Sequence, residues 1–165
     1  MEAFTPEHVR AILDALGLQT IEIQRFAEST ATSQQAADAI GCQLGQIVKS
    51  LCFMIEGQPL LVLASGDGMV DDRKLATLYS VGRKKVKTAS PDECVSIFGY
   101  APGGVAPFGH RTPNLTVYID DALQRFAVVY AAAGAHNAIF EIPLEVLIEK
   151  AGGKVMNLRK DTVGD

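Results

Sequence analysis

The sequence predicts an α/β (α+β) domain: a mixed, largely antiparallel sheet with helices packed around it. Apolar runs of strand length alternate with short amphipathic segments that carry helix-capping residues. Several neighbouring strand-like runs are joined by loops of about four residues, too short for the crossover that a parallel pair needs. Of the 165 residues, 48% are hydrophobic and 21% charged, a balance that closes one sizeable core and predicts a single domain over 1–165.

Each element follows from local chemistry. Thr5 as N-cap, Pro6 at the first helical position and Glu7 in the first turn open a helix. Its stripe Val9, Ile12, Leu13, Leu16 is stopped by Gly17. Thr20 to Phe26 alternates as a strand does. Thr32 and Gln35 have capping-box spacing ahead of a helix from Gln34 to Ile40, closed by Gly41. Ile47–Ile55 and Leu60–Ala64 form a hairpin around Glu56-Gly57-Gln58-Pro59. Asp71 or Asp72 caps a helix through Tyr79, with Leu75 and Leu78 expected to face inward. Val81–Thr88 is expected as a short strand, and Ser90-Pro91-Asp92-Glu93 starts a helix that ends near Gly99. Leu115–Ile119 is a strand, followed by one helical turn at Asp120–Leu123. Phe126–Ala132 and Asn137–Ile142 make a second hairpin, Pro143 begins a helix to about Lys150, and Val155–Leu158 adds an edge strand.

Composition excludes several classes of function. A net charge of −4 argues against a protein that coats nucleic acid non-specifically. No apolar run approaches the ~20 residues of a membrane helix, and the acidic start Met1–Glu7 has no secretory h-region. Cys42, Cys52 and Cys94 lack CxxC spacing and fit reduced thiols, which predicts a cytoplasmic protein with no membrane partner. The charge is uneven: Arg73, Lys74, Arg83, Lys84, Lys85 and Lys87 fall within fifteen residues. That stretch reads either as a face that steers a phosphate backbone or as a solvated, lysine-rich turn and edge strand.

Two segments suggest a site. Tyr100 to His110 holds three glycines and two prolines and cannot form a regular helix or interior strand. Such a loop is either a tight connector or a place where a ligand approaches peptide groups. Upstream, Lys49 begins the apolar run Leu51-Cys52-Phe53-Met54-Ile55 of a strand expected to be central. A lysine there sits on an edge, or else it needs a charge partner or an anionic ligand.

Standard catalytic sets are missing: there is no GxSxG, no GxxxxGK[ST] and no HExxH. His8, His110 and His136 are far apart in sequence, and His8, in the first helix, is expected at the surface. Asp67-Gly68 and Asp71-Asp72 lack calcium-loop spacing and read as turn and helix cap. Neither a metal nor a cofactor is expected.

In order along the chain, Thr32 to Gly41, Gln46-Ile47-Val48-Lys49-Ser50-Leu51, Asp72-Arg73-Lys74-Leu75-Ala76, Gly103-Gly104-Val105-Ala106-Pro107-Phe108-Gly109, Val117-Tyr118-Ile119-Asp120 and Ala133-Gly134 before Ile139-Phe140-Glu141-Ile142 resemble the YbaK/EbsC family. The resemblance spans roughly residues 20 to 160. It implies the YbaK/prolyl-tRNA synthetase editing-domain fold and hydrolysis of mischarged aminoacyl-tRNA, typically Cys-, Ala- or Ser-tRNA. On this resemblance Lys49 is the functional lysine, and the GxxxP loop from Gly103 to Pro107 lines the site for the aminoacyl group and terminal adenosine.

Gly103 and Gly104 are then expected to bring backbone donors to the ester, so that Gly104→Val removes turnover and keeps the fold. Val105, Ala106, Pro107, Phe108, Gly134 and Thr30 are further candidates for binding substrate, as is His136, against the plain alternative of a solvated loop histidine. Arg73, Lys74, Arg83, Lys84, Lys85 and Lys87 are the candidates for contacting tRNA. The implied partners are mischarged aminoacyl-tRNA and, in a transient complex, a synthetase. With no synthetase core in the sequence, the expected action is in trans. A non-catalytic tRNA- or nucleotide-binding module on the same scaffold is the alternative, and a subunit that docks onto a synthetase is a third reading.

Overall fold

The computed structural model describes residues 1–161. Eight strands form one sheet in the order β1-β7-β6-β2-β3-β5-β8, with β4 paired to β2 off that path. The strands are β1 (Ile23–Arg25), β2 (Ile47–Ile55), β3 (Gln58–Ser65), β4 (Val86–Thr88), β5 (Thr116–Asp120), β6 (Val128–Ala132), β7 (Ala138–Pro143) and β8 (Lys154–Met156). The sheet is mixed. The two hairpins β2–β3 and β6–β7 are antiparallel, as are β1–β7 and β2–β4. Parallel pairing joins β2 to β6, β3 to β5 and β5 to β8, all partners separated by long excursions of chain.

Alternation along β2 defines the two faces. Val48 and Cys52 point into the main core, where Leu61, Leu63 and Phe140 of the sheet meet α1 (Pro6–Ala15) and α5 (Leu144–Ala151). The Gly/Pro loop joins that layer through Tyr100, Val105 and Phe108. On the other face Phe53, Leu60 and Val62 pack on Leu75 of α3 (Asp72–Leu78). Ile47 and Ile139 pack on Ala36 and Ala37 of α2 (Ser33–Ile40). Lys49, opposite Ala64 in the β2–β3 register, therefore stands on the face covered by α2 and α3.

Local chemistry decides most boundaries. The Thr32/Gln35 capping box forms, and Gly41 closes α2 at φ +82°. The hairpin turn tightens to two residues, Glu56 and Gly57, both at positive φ, so Gln58 and Pro59 belong to β3. Other expectations are refined or corrected. Residues Arg83–Lys85 coil into a 3-10 turn, leaving only Val86–Thr88 as strand. After one α-turn, α4 (Pro91–Glu93), the backbone widens into a π-turn over Cys94–Phe98 that ends on left-handed Gly99. Leu78 is exposed, because α3 ends there and Tyr79 takes the packing position. His8 is half-buried, not at the surface: its ring stacks on Phe4 at 3.7 Å.

Candidate functional site

The site arises from a gap beside β2. On that side β6 pairs only with Ile47 and Val48, and β4 only with Phe53, Met54 and Ile55. Between them the strand is left without a neighbour at Lys49, Ser50 and Leu51. Because β6 stops before β4 begins, the edge of β2 opens there into a crevice. A cavity of about 200 Å³ fills this one. Ile47–Leu51 and Tyr130–Ala132 form its floor, the lead-in and first turn of α2 one wall, and Gly103 with Val105 the other.

Lys49 is half-buried and enters no ion pair or hydrogen bond among the described residues. Its strand neighbours on that face, Ile47 and Leu51, are apolar. A partly desolvated ammonium in such surroundings favours an anion or a polarised oxygen as partner.

The Gly/Pro loop divides into cavity wall and support. Gly103 sits at φ +86°, a conformation that glycine adopts without strain, and a Cβ there would lie 3.2 Å from the Ala31 Cβ. Gly104 is buried: its N–H donates to the Ala101 carbonyl (3.1 Å), and its carbonyl accepts from the Gly134 N–H (3.0 Å). That second bond fixes the Gly104–Val105 peptide and directs the Val105 N–H to the opposite side of the peptide plane. Among the described residues neither the Gly103 nor the Val105 N–H has an internal acceptor. Ala106, Pro107 and Phe108 are buried in the supporting layer, outside the cavity wall, with Phe108 stacked on Phe140 at 5.8 Å.

Three ring donors brace the loop from behind. The Tyr100 hydroxyl donates to the Phe108 carbonyl (2.8 Å), His8 Nε2–H to the Gly109 carbonyl (2.9 Å) and His110 Nε2–H to the Ala106 carbonyl (2.8 Å). Carbonyl acceptors assign the donating tautomer of both histidines. Burial pushes the His110 pKa down to about 4, so the ring is neutral at pH 7. Sequence reasoning assigns these three residues no role. Their signal is slight: an aromatic and a histidine flanking the loop, and a histidine on the buried side of the first helix.

Thr30 lines the cavity, and both its N–H (2.6 Å) and its hydroxyl (3.2 Å) donate to the His136 carbonyl. The exposed His136 ring is not part of the cavity wall, and its carbonyl is what ties the β6–β7 loop to the approach of α2. Gly134, at φ +87°, packs against the Thr5 backbone, where a Cβ would approach to 2.8 Å. It too lies outside the wall.

The cationic stretch divides as well. Lys74 donates to Asn157 Oδ1 (3.0 Å) and the Arg159 carbonyl (2.6 Å), and so fastens the C-terminal segment. Arg83 pairs with Asp72 at 2.9 Å. Arg73, Lys84, Lys85 and Lys87 are exposed. Lys87 sits opposite Met54, roughly 17 Å along β2 from Lys49 at ~3.3 Å per residue. Cys42, Cys52 and Cys94 are free thiols. Among the described residues no three His, Cys, Asp or Glu side chains converge as a metal site, and no helix is long and apolar enough to cross a membrane.

The fold and site thus define a mixed α/β sheet with a small crevice beside β2, lined by Lys49, Gly103 and Val105. The profile of the aminoacyl-tRNA editing domain matches residues 27–150, and the chain belongs to that family. It is 37% identical over 135 residues to the uncharacterized protein YwhH of Bacillus subtilis (strain 168), covering 81% of this chain and 83% of YwhH. It is 30% identical over 93 residues to the proline–tRNA ligase of Staphylococcus aureus (strain Newman), covering 56% of this chain and 16% of the ligase. A crystal structure of a protein proposed as a trans-editing enzyme for prolyl-tRNA synthetase superimposes with a TM-score of 0.88 at 33% identity, over 98% of this chain and 100% of that one. The fold is thus the prolyl-tRNA synthetase editing-domain fold.

Proposed function

We propose that the protein is an aminoacyl-tRNA deacylase acting in trans. Its substrate is the ester of a mischarged tRNA, with tRNA(Pro) carrying a small amino acid (Cys, Ala or Ser) as the leading candidate. The observation that carries this reading is the half-buried, unpaired Lys49 on the same cavity as the unengaged Gly103 and Val105 N–H groups. An aminoacyl ester is already activated, so a site without a nucleophile works by holding the carbonyl beside water and stabilising the oxyanion. The Gly103 and Val105 N–H groups supply donors for that oxygen. The Lys49 ammonium anchors the terminal phosphate or ribose and orients the ester. Water adds to the carbonyl carbon, the C–O bond to the ribose breaks, and the free amino acid leaves with the tRNA hydroxyl restored.

The small side chains Ala31, Ala36, Ala131 and Ala132 on the wall suit a small aminoacyl group. Exposed Arg73, Lys84, Lys85 and Lys87 offer a phosphate-binding face for the acceptor stem. A panel of mischarged tRNAs incubated with the protein tests the reading: release of a small amino acid supports it, and stability of every ester over the spontaneous rate overturns it.

A further inference from the structure

The start of α1 and the residues just ahead of it touch both loops of the site from behind. The Phe4 N–H donates to the Gly99 carbonyl (2.7 Å), and His8 Nε2–H donates to the Gly109 carbonyl (2.9 Å). Those carbonyls mark the two ends of the Gly/Pro loop. Just outside them the loop is closed by the Arg111 N–H on the Phe98 carbonyl and the Thr112 N–H on the Ile97 carbonyl (both 3.1 Å).

Packing repeats the pattern. A Cβ on Gly99 would lie 2.4 Å from the Phe4 ring, and one on Gly109 would lie 2.7 Å from Ile12 Cγ1, so side chains of this segment rest directly on the loop backbone. Thr5 meets Gly134 of the β6–β7 loop as closely, at 2.8 Å. The Phe4 ring stacks on His8 (3.7 Å) and lies beneath the Arg111 guanidinium (4.4 Å), which donates to the Glu2 carbonyl (2.8 Å). Val9 and Leu13 already dock α1 on the main core. The Phe4 and His8 hydrogen bonds are additional, and each is aimed at one end of the loop.

We infer that Phe4 and His8 are positioning residues, which clamp the Gly/Pro loop by both ends and so hold its Gly103 and Val105 N–H groups toward the cavity. The contacts form a continuous path. Thr5 seats Gly134, the Gly134 N–H holds the Gly104 carbonyl (3.0 Å), and that bond orients the Val105 N–H. His8 has little substitute: without it the Gly109 carbonyl keeps only the Tyr100 hydroxyl, at 3.4 Å, among the described residues. The catalytic consequence rests on the deacylase reading above, since a misplacement of about 1 Å at a reacting centre costs on the order of a hundredfold in rate. The clamp itself does not depend on that reading.

Amide hydrogen exchange of the whole protein tests the clamp without substrate. His8→Ala should speed exchange at the Gly104 and Gly134 amides at least about fivefold more than in the β2–β3 hairpin. His8→Gln, which keeps an N–H donor at the same reach, should restore most of that difference although it too lacks the stack on Phe4. A rise that is equal in both places, or absent, overturns the inference, as does a His8→Gln protein that exchanges like His8→Ala. Phe4→Ala removes only a half-buried ring and decides in the same way if His8→Ala does not fold.

Single-turnover kinetics then join the clamp to the chemistry. On the ester that the wild type clears fastest, His8→Ala should lose about tenfold or more in the rate at saturation while KM changes little, because Lys49 and the exposed cations are untouched. A wild-type rate beside loosened amides overturns the positioning role. If the wild type hydrolyses no ester, the deacylase reading falls and the exchange ratio still decides the clamp.

Discussion

A Cβ on Gly104 would lie 2.8 Å from the amide nitrogen of Ala135, so the Gly/Pro loop and the β6–β7 loop touch backbone to backbone. The Gly134 N–H to Gly104 carbonyl bond (3.0 Å) lies at the same junction. The outcome for Gly104→Val therefore differs from what the bare glycine pattern suggests: the side chain has no room, and overpacking of this kind costs about 1–3 kcal/mol. The variant is expected to melt several degrees below wild type and to lose turnover together with stability. Thermal unfolding that coincides with wild type would show that the two loops separate without cost.

His110 gives the fold a pH dependence of known sign. The ring is held neutral by burial, with its pKa down to about 4 against an ordinary value of about 6.5. Above pH 6.5 neither the folded nor the unfolded chain protonates it, and its full contribution is present. As pH falls from 6.5 toward 4 the unfolded chain takes up a proton that the folded chain refuses, and up to about 3 kcal/mol of stability is lost. His8, which faces the same group, lowers it further when charged. His110→Gln, which keeps a donor for the Ala106 carbonyl, should show a smaller drop in Tm between pH 7 and pH 4.5. An equal drop in both proteins would remove His110 as its source.

Much of the fold was legible because it is local. Thr32, Gln35 and Gly41 announce α2 by capping chemistry alone, and Glu56-Gly57-Gln58-Pro59 between two apolar runs marks a hairpin, though not that its turn is only Glu56 and Gly57. Lys49 could be singled out because a cation at the head of an apolar strand is unusual. The cavity itself was not legible. It depends on where β6 stops and β4 begins along β2, a register set by strands that come from distant parts of the chain. For the same reason nothing local reveals that Lys74 is spent on Asn157 and Arg159.

The exposed cations should act as a phosphate-binding face. Lys84→Glu with Lys85→Glu is expected to weaken tRNA binding and to reduce the salt slope by about one for each phosphate that is no longer neutralised, leaving Tm unchanged. Lys74→Glu should instead lower Tm, since its ammonium fastens the C-terminal segment. Filter binding across a salt series, beside thermal melts, distinguishes these outcomes. An unchanged affinity and slope for the double reversal would make the stretch a solvated surface only.

Lys49 is the test of the whole account. Lys49→Ala removes an ammonium without a partner among the described residues, so the fold and its Tm should be retained while most deacylation is lost. Lys49→Arg should restore little, because a planar fork does not replace a compact ammonium in a small cavity. The most direct measurement is single-turnover hydrolysis of Ala-, Ser- and Cys-charged tRNA(Pro) by wild type and Lys49→Ala. The account predicts at least a hundredfold (about 2.7 kcal/mol) slower release by the variant on whichever ester the wild type clears fastest. Equal rates for the two proteins on that ester would contradict it.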